Sequence, residues 1–274
     1  MEDAEVKDYS HSCKLWKIIM PATYLVTGTS SGIGLDLVKT LAARGDKVYA
    51  TVRQSRGSSM TGEDQLSSVA GDVTVIENVD VSDDNVGSVL KKALDGITID
   101  VVIHNAGSVN ATRELKGGDI FAEQKLGKIN YKTMLRTFDT NCVGILRVQE
   151  AVNDQIRSPG GKIVLLSTGM GSIADNGSGG VYAYRCSKAA MNMVAKGLSC
   201  DLKEKQICVC PIAPGMVTTE FGMGSQAMSS FGAAPVSQAT KGILDILETK
   251  MGMDGTGVYW MIPTSGDPPK VMPW

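Results

Sequence analysis

The 274-residue sequence lacks the features that mark several classes of protein. Its longest apolar runs, such as Ile163–Leu166, fall far short of the ~20 residues that span a bilayer. It has no block of like charge, and 27 basic against 29 acidic residues leave a formal net charge of -2. The electrostatic surface that grips a nucleic-acid backbone is therefore missing. We expect a soluble protein that binds neither nucleic acid nor a membrane.

Cysteine and histidine are too few and too scattered for a common zinc site. The six cysteines include no C-x-x-C pair, and His11 and His104 are the only histidines. The segment Met1–Ser10 carries four acidic residues and no early apolar stretch, unlike transit and signal peptides. We expect no metal, reduced and mostly buried thiols, and a cytoplasmic location.

The composition, 43% hydrophobic and 20% charged, excludes disorder and small disulfide scaffolds and allows a sizeable core. After an N-terminal extension, residues 1–21, apolar runs of strand length alternate with amphipathic helical stretches over residues 22–274. This pattern predicts one α/β domain of the Rossmann type. Its parallel, doubly wound sheet would have about seven strands, helices on both faces, and ligands at the carboxyl ends of the strands.

The predicted elements follow from runs of apolar residues and from helix-ending signals. The strands are predicted over Thr23–Thr27, Lys47–Val52, Val73–Val79, Ile99–His104, Lys162–Thr168, Ile207–Ile212 and Gly257–Ile262. Helices are predicted over Ile33–Arg44, Lys132–Ile156, Ala183–Leu202 and Ser237–Lys250, with a further helix that starts from an N-cap at Ser82 and stops at Gly96.

A glycine-rich turn, Thr27–Gly34, joins the first predicted strand to the first helix. In this position backbone N–H groups and the helix dipole face a bound pyrophosphate. Gly28 permits the turn, Gly32 lets a phosphate approach, and Gly34 lets helix and strand pack closely. Such turns also occur in proteins that bind nothing, but the strand-turn-helix context favours a dinucleotide. The predicted contacts come from Gly28, Thr29, Ser30, Ser31, Gly32, Ile33 and Gly34.

The end of the second strand indicates which dinucleotide binds. It carries no carboxylate where NAD-binding folds hold the ribose 2′-hydroxyl. Arg53 instead offers a guanidinium suited to a 2′-phosphate, which Thr29 or Ser30 could share. The alternative is an arginine that only faces solvent. We expect NADP or its reduced form, NADPH.

The residues just past the third strand are expected near the adenine. Asp80 is placed to accept a hydrogen bond from the adenine amino group, with Val81 beside it. The alternative for Asp80 is a structural role in the turn before Ser82.

A tyrosine and a lysine, Tyr184 and Lys188, stand at positions i and i+4 of a predicted helix and therefore share one face. A phenol with a pKa near 10 is a poor acid or base at neutral pH. An adjacent ammonium lowers that pKa because it favours the phenolate. Such pairs also arise by chance on helix surfaces, so the surrounding motifs must decide between the two interpretations.

Three further motifs accompany this pair and the glycine turn. His104–Gly107 closes the fourth strand, Asn141 lies in the long middle helix, and Pro214-Gly215 follows the sixth strand. Together they resemble the short-chain dehydrogenase/reductase family over residues 22–262, where the motifs read T-G-x-x-x-G-I-G, N-N-A-G, a helix Asn, Y-x-x-x-K and P-G. The stretch Tyr182–Asn192 further resembles the C-factor and Sniffer carbonyl-reductase branch, and Lys47–Arg53 looks like the NADP-preferring members.

The resemblance implies a role for each matching residue. Tyr184 would protonate the carbonyl oxygen while hydride leaves the nicotinamide, and Lys188 would bind the nicotinamide ribose and poise the phenol. Asn141 would hold a water in the proton relay, or else merely satisfy the backbone of a kinked helix. The implied cofactor contacts are Asn105, Ala106 and Gly107 under the riboses, and Pro214, Gly215, Val217 and Thr219 at the carboxamide and diphosphate.

Two features depart from the family pattern. Thr168 stands where the family has a substrate-orienting serine, and its extra methyl narrows the pocket while its hydroxyl is retained. Ser167 is expected on the opposite face of the strand, and Ser172 is the other spare hydroxyl. The separation of 34 positions from Gly107 to Asn141 exceeds the family's usual gap, so the polar stretch Arg113–Lys128 is expected to form an extra loop near the site mouth.

The sequence thus favours an NADPH-dependent reductase of a small to medium aldehyde or ketone. The alternatives are a non-catalytic NADP-binding signalling or regulatory protein, and an NADP-linked alcohol or hydroxysteroid dehydrogenase running oxidatively. Specificity is expected in the loops Thr168–Val181 and Gly222–Val236, which are rich in Gly, Ser, Ala and Met. Family analogy implies a homodimer or homotetramer through the two long helices.

Overall fold

A sheet of eight strands organises the computed structural model, which describes residues 21–53, 66–109 and 124–274. The strand order is β3-β2-β1-β4-β5-β6-β7-β8, and neighbouring strands are parallel except for the antiparallel pair β7–β8. The strands are β1 (Thr23–Val26), β2 (Lys47–Thr51), β3 (Val73–Ile76), β4 (Val101–His104), β5 (Lys162–Leu166), β6 (Cys208–Ala213), β7 (Trp260–Met261) and β8 (Lys270–Val271).

Helices cover both faces of the sheet because successive strand residues point to opposite sides. In β1, for example, Leu25 packs into one apolar cluster while Tyr24 and Val26 pack into the other. The first cluster is shared with α2, α4 and α5, and the second with α1 and α7. The helices are α1 (Gly32–Ala43), α2 (Val86–Ala93), α3 (Tyr131–Phe138), α4 (Gly144–Val152), α5 (Tyr182–Asp201), α6 (Ser225–Ser230) and α7 (Val236–Thr249).

The strand order creates a crevice where ligands bind in folds of this kind. From β1 the chain moves outward to β2 and β3 on one side, then returns to place β4 on the other side of β1. Connections leave the carboxyl ends of β1 and β4 in opposite directions, which opens a gap between them. The predicted doubly wound α/β fold is confirmed, and the glycine turn after β1 lies at this switch point.

The sheet differs from the prediction at its far edge. An eighth strand, Lys270–Val271, pairs antiparallel with β7, whereas seven strands were expected. Only Trp260–Met261 of the predicted strand Gly257–Ile262 keeps strand pairing. Two-residue strands carry too little periodicity to be recognised in a sequence, because alternation needs four or more residues.

Two predicted helices also need correction. The helix after β3 begins at Val86 with Asn85 before it, and not from an N-cap at Ser82, whose backbone N–H and hydroxyl both donate to Asp80. The long helix predicted over Lys132–Ile156 is divided by a π-helical turn, Asp139–Val143. Apolar spacing does not reveal such a segment, because it is a single turn within a stretch that is otherwise α-helical.

Several expectations concern parts of the chain outside the described residues. The N-terminal extension 1–21 is described only at Pro21, and Cys13 and His11 lie within it, so the domain boundary stays a prediction. Of the predicted extra loop, only residues 124–128 are described. Within the described ranges, no helix is long and apolar enough to cross a membrane. The same ranges hold no group of three His, Cys, Asp or Glu side chains placed to bind a metal.

Candidate active site

The glycine turn after β1 is packed tightly against the end of β4. Gly28 has φ +70, and a Cβ there would lie 2.8 Å from the Cα of Ala106, so a larger residue is excluded. A Cβ on Gly34 would lie 2.5 Å from Nδ2 of Asn105. Asn105 Nδ2 donates to the carbonyl oxygens of Thr27 and Gly28, at 2.9 and 2.8 Å. Asn105 therefore braces the turn, and the glycines allow the close approach that the sequence predicted.

The first turn of α1 offers backbone donors at this site. Ser31, the N-cap residue, is extended and its side chain makes no capping hydrogen bond, so it leaves the first N–H groups of the helix available. Ser30 and Ser31 are exposed, and Gly32 has φ +57. Thr219, from the loop after β6, lies 3.4 Å from the position of a Cβ on Gly32. A diphosphate fits this arrangement, because N–H groups at a helix N-terminus bind anions.

Arg53, at the end of β2, and Thr29, in the glycine turn, have different environments. Arg53 is exposed, and within the described residues its guanidinium makes no hydrogen bond or ion pair. Thr29, in contrast, is fully buried, and its hydroxyl donates to the carbonyl oxygen of Thr51 at 3.0 Å. Because the Thr29 hydroxyl is turned inward, Ser30 is the better placed of the two predicted partners for a 2′-phosphate, and this role stays a prediction.

The segment after β3 has a clear structural role. The Asp80 carboxylate accepts hydrogen bonds from the backbone N–H of Ser82 at 3.0 Å and from its hydroxyl at 2.6 Å. This is the turn that the sequence allowed as the alternative to adenine binding. Val81 is buried, and its carbonyl oxygen lies 2.8 Å from where a Cβ on Gly144 would be. The absence of a side chain at Gly144 thus lets α4 pack against this segment.

Tyr184 lies on α5 and is almost fully buried, and the side chain of Thr168, two residues past β5, lies close enough to influence its phenol. Burial raises the pKa of Tyr184 well above its ordinary value, because the phenolate is poorly solvated there, and the Thr168 side chain opposes this increase. The ring of Phe221, from the loop after β6, is tilted against the Tyr184 ring with centroids 6.1 Å apart. The structure therefore brings Tyr184, the predicted acid, near Thr168, the predicted orienting residue.

Lys188 lies one turn further along α5 and is also buried. Its Nζ donates to the carbonyl oxygen of Leu166 at 2.7 Å and is 6.0 Å from the centre of the Tyr184 ring. Burial lowers the pKa of Lys188 to about 8. Burial is the largest influence on the pKa of Tyr184 and raises it, and the expected opposing effect of this ammonium stays a prediction. A Cβ on Gly107 would be 3.6 Å from Lys188 Nζ, so the amine borders the segment after β4.

Asn141 is fully buried in the π-helical turn between α3 and α4. Its Oδ1 accepts from the backbone N–H of Ser108 at 2.7 Å. Its Nδ2 donates to the carbonyl oxygen of Ser108 at 2.7 Å and to the Ser187 hydroxyl at 2.9 Å. The amide therefore joins the segment after β4 to α5, which differs from the predicted alternative of satisfying its own helix backbone.

The adjacent hydroxyls of Ser167 and Thr168, in the extended chain directly after β5, point to opposite sides, as alternation predicts. Ser167 Oγ donates to Oδ1 of Asn192 at 2.7 Å, away from Tyr184. Ser172 is buried and accepts from the backbone N–H of Asp175. Thr168 is thus the hydroxyl beside the phenol. Its carbonyl oxygen accepts a hydrogen bond from the Tyr259 hydroxyl, which anchors the end of the strand from behind.

The loop after β6 closes the site from the other side. Pro214 is half-buried and Gly215 has φ +78, and a Cβ on Gly215 would lie 2.7 Å from the carbonyl oxygen of Ile262. Val217 is buried and pairs with Ala234 through an isolated bridge. These contacts bring Thr219 to the glycine turn.

The structure also contains supporting residues that sequence reasoning missed. These residues are Ser108, Gln124, Ser187, Asn192 and Tyr259. Ser187 and Asn192 lie within the stretch that carries the family resemblance, so their helix face was a usable signal. Ser108, Gln124 and Tyr259 act through contacts distant in sequence, and no local pattern marks them.

Comparison with known proteins identifies a family for most of this fold. The model of the short chain dehydrogenase family matches residues 22–230. The 1-hydroxy-2-glutathionyl-2-methyl-3-butene dehydrogenase of Rhodococcus sp. is 31% identical over 73% of this chain and 80% of its own length. C-signal of Myxococcus xanthus is 33% identical over 55% of this chain and 81% of its own length.

Solved structures share the architecture. A short-chain dehydrogenase/reductase of Burkholderia multivorans with bound NADP has 26% identity and a TM-score of 0.74, over 93% of this chain and all of that one. The carbonyl reductase Sniffer of D. melanogaster has 24% identity and a TM-score of 0.72 over the same shares, which is a likeness of fold. The expected resemblance to C-factor and Sniffer proteins is confirmed at this level.

Proposed function

The chain belongs to the short-chain dehydrogenase/reductase family, and from this premise we propose that it is an NADPH-dependent carbonyl reductase. Its substrate would be a small to medium aldehyde or ketone, which it reduces to the alcohol. The observation that carries the proposal is the buried Tyr184 phenol, which lies near the Thr168 side chain and one helical turn from Lys188. An acid, an orienting hydroxyl and an amine at one edge of the sheet match what carbonyl reduction requires.

In the proposed mechanism, NADPH supplies the hydride when bound. Tyr184 donates its phenolic proton to the carbonyl oxygen, and the Thr168 hydroxyl holds that oxygen in place. The raised pKa of Tyr184 keeps the phenol protonated at neutral pH, as an acid requires. Lys188, whose pKa is about 8, remains largely an ammonium at neutral pH and stabilises the phenolate left after proton transfer. Asn141 holds Ser108 and Ser187 in register around this group.

The cofactor choice rests on the glycine turn, the first turn of α1 and Arg53. The turn and the helix N-terminus suit a diphosphate, and Arg53 adds a guanidinium at the end of β2 for a 2′-phosphate. The NADP-bound Burkholderia multivorans relative supports this choice. We propose contacts through the backbone at Thr29 and through Gly28, Ser30, Ser31, Gly32, Ile33, Gly34, Arg53, Asp80, Val81, Asn105, Ala106, Gly107, Tyr184, Lys188, Pro214, Gly215, Val217 and Thr219.

The assay that tests the function is loss of NADPH absorbance with a panel of aldehydes and ketones. Tyr184→Phe removes only the hydroxyl, so we expect intact folding and NADPH binding with turnover lower by ~10²-fold or more. Lys188→Ala should weaken both cofactor binding and rate. Turnover of Tyr184→Phe equal to that of the wild type would contradict the mechanism.

The NADP preference is tested at Arg53. Loss of charge-assisted hydrogen bonds to a 2′-phosphate should weaken NADPH binding by ~1.5–3 kcal/mol in Arg53→Ala and leave NADH binding nearly unchanged. Calorimetric titration of wild type and variant with both dinucleotides measures this difference. Equal affinity of the wild type for NADH and NADPH would make the assignment wrong.

Two other functions are separated by the same measurements. The similarity to C-signal supports, as an alternative, a non-catalytic signalling role. Binding of NADPH without turnover of any carbonyl or alcohol would favour this alternative. The similarity to a Rhodococcus dehydrogenase supports, as a second alternative, an enzyme that oxidises an alcohol. Assays of a panel of alcohols with NADP test this alternative. The assembled Tyr184–Thr168 pair favours an enzyme over a binding protein.

We also propose a homodimer or homotetramer in a reducing compartment such as the cytoplasm. Exposed apolar side chains on α3 and α5, Tyr131, Leu135, Phe138 and Met193, support association through these two helices. The five described cysteines form no disulfide with one another, and free thiols suit a reducing environment.

A further inference from the structure

A buried glutamine connects the helix that carries Tyr184 to the segment after β4. Gln124 is 1% exposed, and its Oε1 accepts a hydrogen bond from the backbone N–H of Tyr184 at 3.1 Å. Its Nε2 donates to the carbonyl oxygen of Val109 at 3.3 Å. One carboxamide thus uses its acceptor and a donor on two different parts of the site.

The first turn of α5 needs such an acceptor. The helix starts at Tyr182, so Tyr184 is its third residue, and its N–H is one of those without a partner inside the helix. The preceding residue, Val181, has φ +49 and no side-chain cap. Helices usually solve this with a Ser, Thr, Asp or Asn at the N-cap. Here a residue 60 positions away in sequence supplies the oxygen, and it does so at Tyr184 itself.

We propose that Gln124 is a positioning residue for Tyr184, an inference that rests on the proposed function. The remainder of α5 is held by other hydrogen bonds: Ser187 accepts from Asn141, Lys188 donates to Leu166, and Asn192 accepts from Ser167. These bonds all lie after Tyr184 in the helix. The turn that presents the phenol is therefore held from its N-terminal side by Gln124, while the helix as a whole does not depend on it.

Small displacements of this turn have a large kinetic cost. Reacting atoms must approach to about 3–3.5 Å, and a misplacement of about 1 Å costs ~10²-fold in rate. Gln124 also fixes Val109, two residues from the Gly107 position that borders Lys188. The glutamine therefore sets the distance between the proton donor and the segment where the nicotinamide ribose is expected, which controls turnover more than cofactor affinity.

Two substitutions separate positioning from simple stability. Gln124→Met keeps the length and apolar stem but removes both polar groups, so Tyr184 N–H and Val109 oxygen lose this partner. Gln124→Glu keeps an oxygen for Tyr184 N–H in either protonation state, and a carboxylate is favourable at a helix N-terminus. Gln149→Met is the matched control, because Gln149, on α4, is similarly buried but is hydrogen-bonded to His104 of β4 and not to Tyr184.

Kinetics with NADPH deuterated at the transferred position give the main measurement. We expect Gln124→Met to lower kcat by ~10-fold or more with a larger isotope effect and an unchanged Kd for NADPH, since the chemical step becomes slower. Gln124→Glu should recover kcat to within ~3-fold of wild type. Gln149→Met should lower the melting temperature but leave kcat within ~2-fold. Wild-type kcat in Gln124→Met, or equal losses in the Met and Glu variants, would overturn the proposal.

Amide hydrogen exchange at Tyr184 separates this inference from the function itself. The Tyr184 N–H should be protected in the wild type and in Gln124→Glu, and should exchange faster in Gln124→Met. If the wild type reduces no carbonyl yet this exchange pattern holds, the reductase function is wrong and the Gln124 contact stands. If the wild type is active and Tyr184 protection is the same in all three proteins, the positioning role is wrong.

Discussion

At the residue scale, two adjacent hydroxyls directly after β5 have opposite environments. Thr168 lies near the Tyr184 phenol, and Ser167 bonds Asn192 on the other face of the strand. The difference arises because successive side chains of a strand alternate. The resemblance implies a serine at this position, and the hypothesis that the Thr168 hydroxyl takes over its orienting role remains a prediction.

The Thr168 position is tested by three variants. Thr168→Val keeps the branched shape and removes the oxygen, so turnover should fall while NADPH affinity is unchanged. Thr168→Ser should stay active and admit bulkier substrates. Ser167→Ala should leave turnover nearly unchanged but reduce stability by about 1–3 kcal/mol, because Asn192 Oδ1 loses its buried donor. Steady-state kinetics and chemical unfolding measure both effects, and an inactive Ser167→Ala beside an unimpaired Thr168→Val would refute the assignment.

At the scale of elements, the glycine turn and α1 depend on contacts with the end of β4. Asn105 donates to the turn, and Gly34 leaves it the space to do so. The helix N-terminus is held where its N–H groups face the crevice of the sheet. Cofactor binding and local packing are therefore coupled at Gly34.

Gly34→Ala tests this coupling. Its Cβ would overlap Asn105 and the turn, so we expect a loss of about 1–3 kcal/mol in the free energy of unfolding together with weaker NADPH binding. Gly197→Ala is the matched control, since Gly197 lies inside α5 with open space around a Cβ. That change should stabilise the protein by about 1 kcal/mol and leave binding unchanged. Denaturant unfolding and calorimetry decide the point, and equal stability of the two variants would rule out the tight packing.

At the scale of the whole molecule, α3 and α5 present an apolar surface. Tyr131, Leu135 and Phe138 lie at i, i+4 and i+7 on α3, and Met193 is exposed on α5. Residues at this spacing lie on one side of a helix. Exposed apolar side chains on two helices that pack together favour association, and two-fold symmetry would bury them against the same helices of a second copy.

Leu135→Glu and Met193→Glu should convert the assembly to monomers, because each places a charge in the proposed interface. Sedimentation velocity at several concentrations measures the mass. Val271→Glu is the control, since Val271 is equally apolar and exposed but lies on the edge strand β8, and it should retain at least the dimer. A wild type that stays monomeric at high concentration would contradict the proposal.

The sequence by itself determined the α/β class, the main strands and helices, and the candidate residues at Tyr184, Lys188 and the glycine turn. The class and the elements follow from local signals, namely apolar periodicity and turn-forming glycines. The residues at Tyr184 and Lys188 follow from their i, i+4 spacing together with the family resemblance of the motifs around them. Only the tertiary structure decided that Thr29 turns inward, that Asn141 bonds Ser108 and Ser187, and that burial raises the pKa of Tyr184. Gln124 and Tyr259 meet the site across 60 and 91 positions. Such contacts and the desolvation they produce depend on which segments the fold brings together, and no window of sequence contains that information.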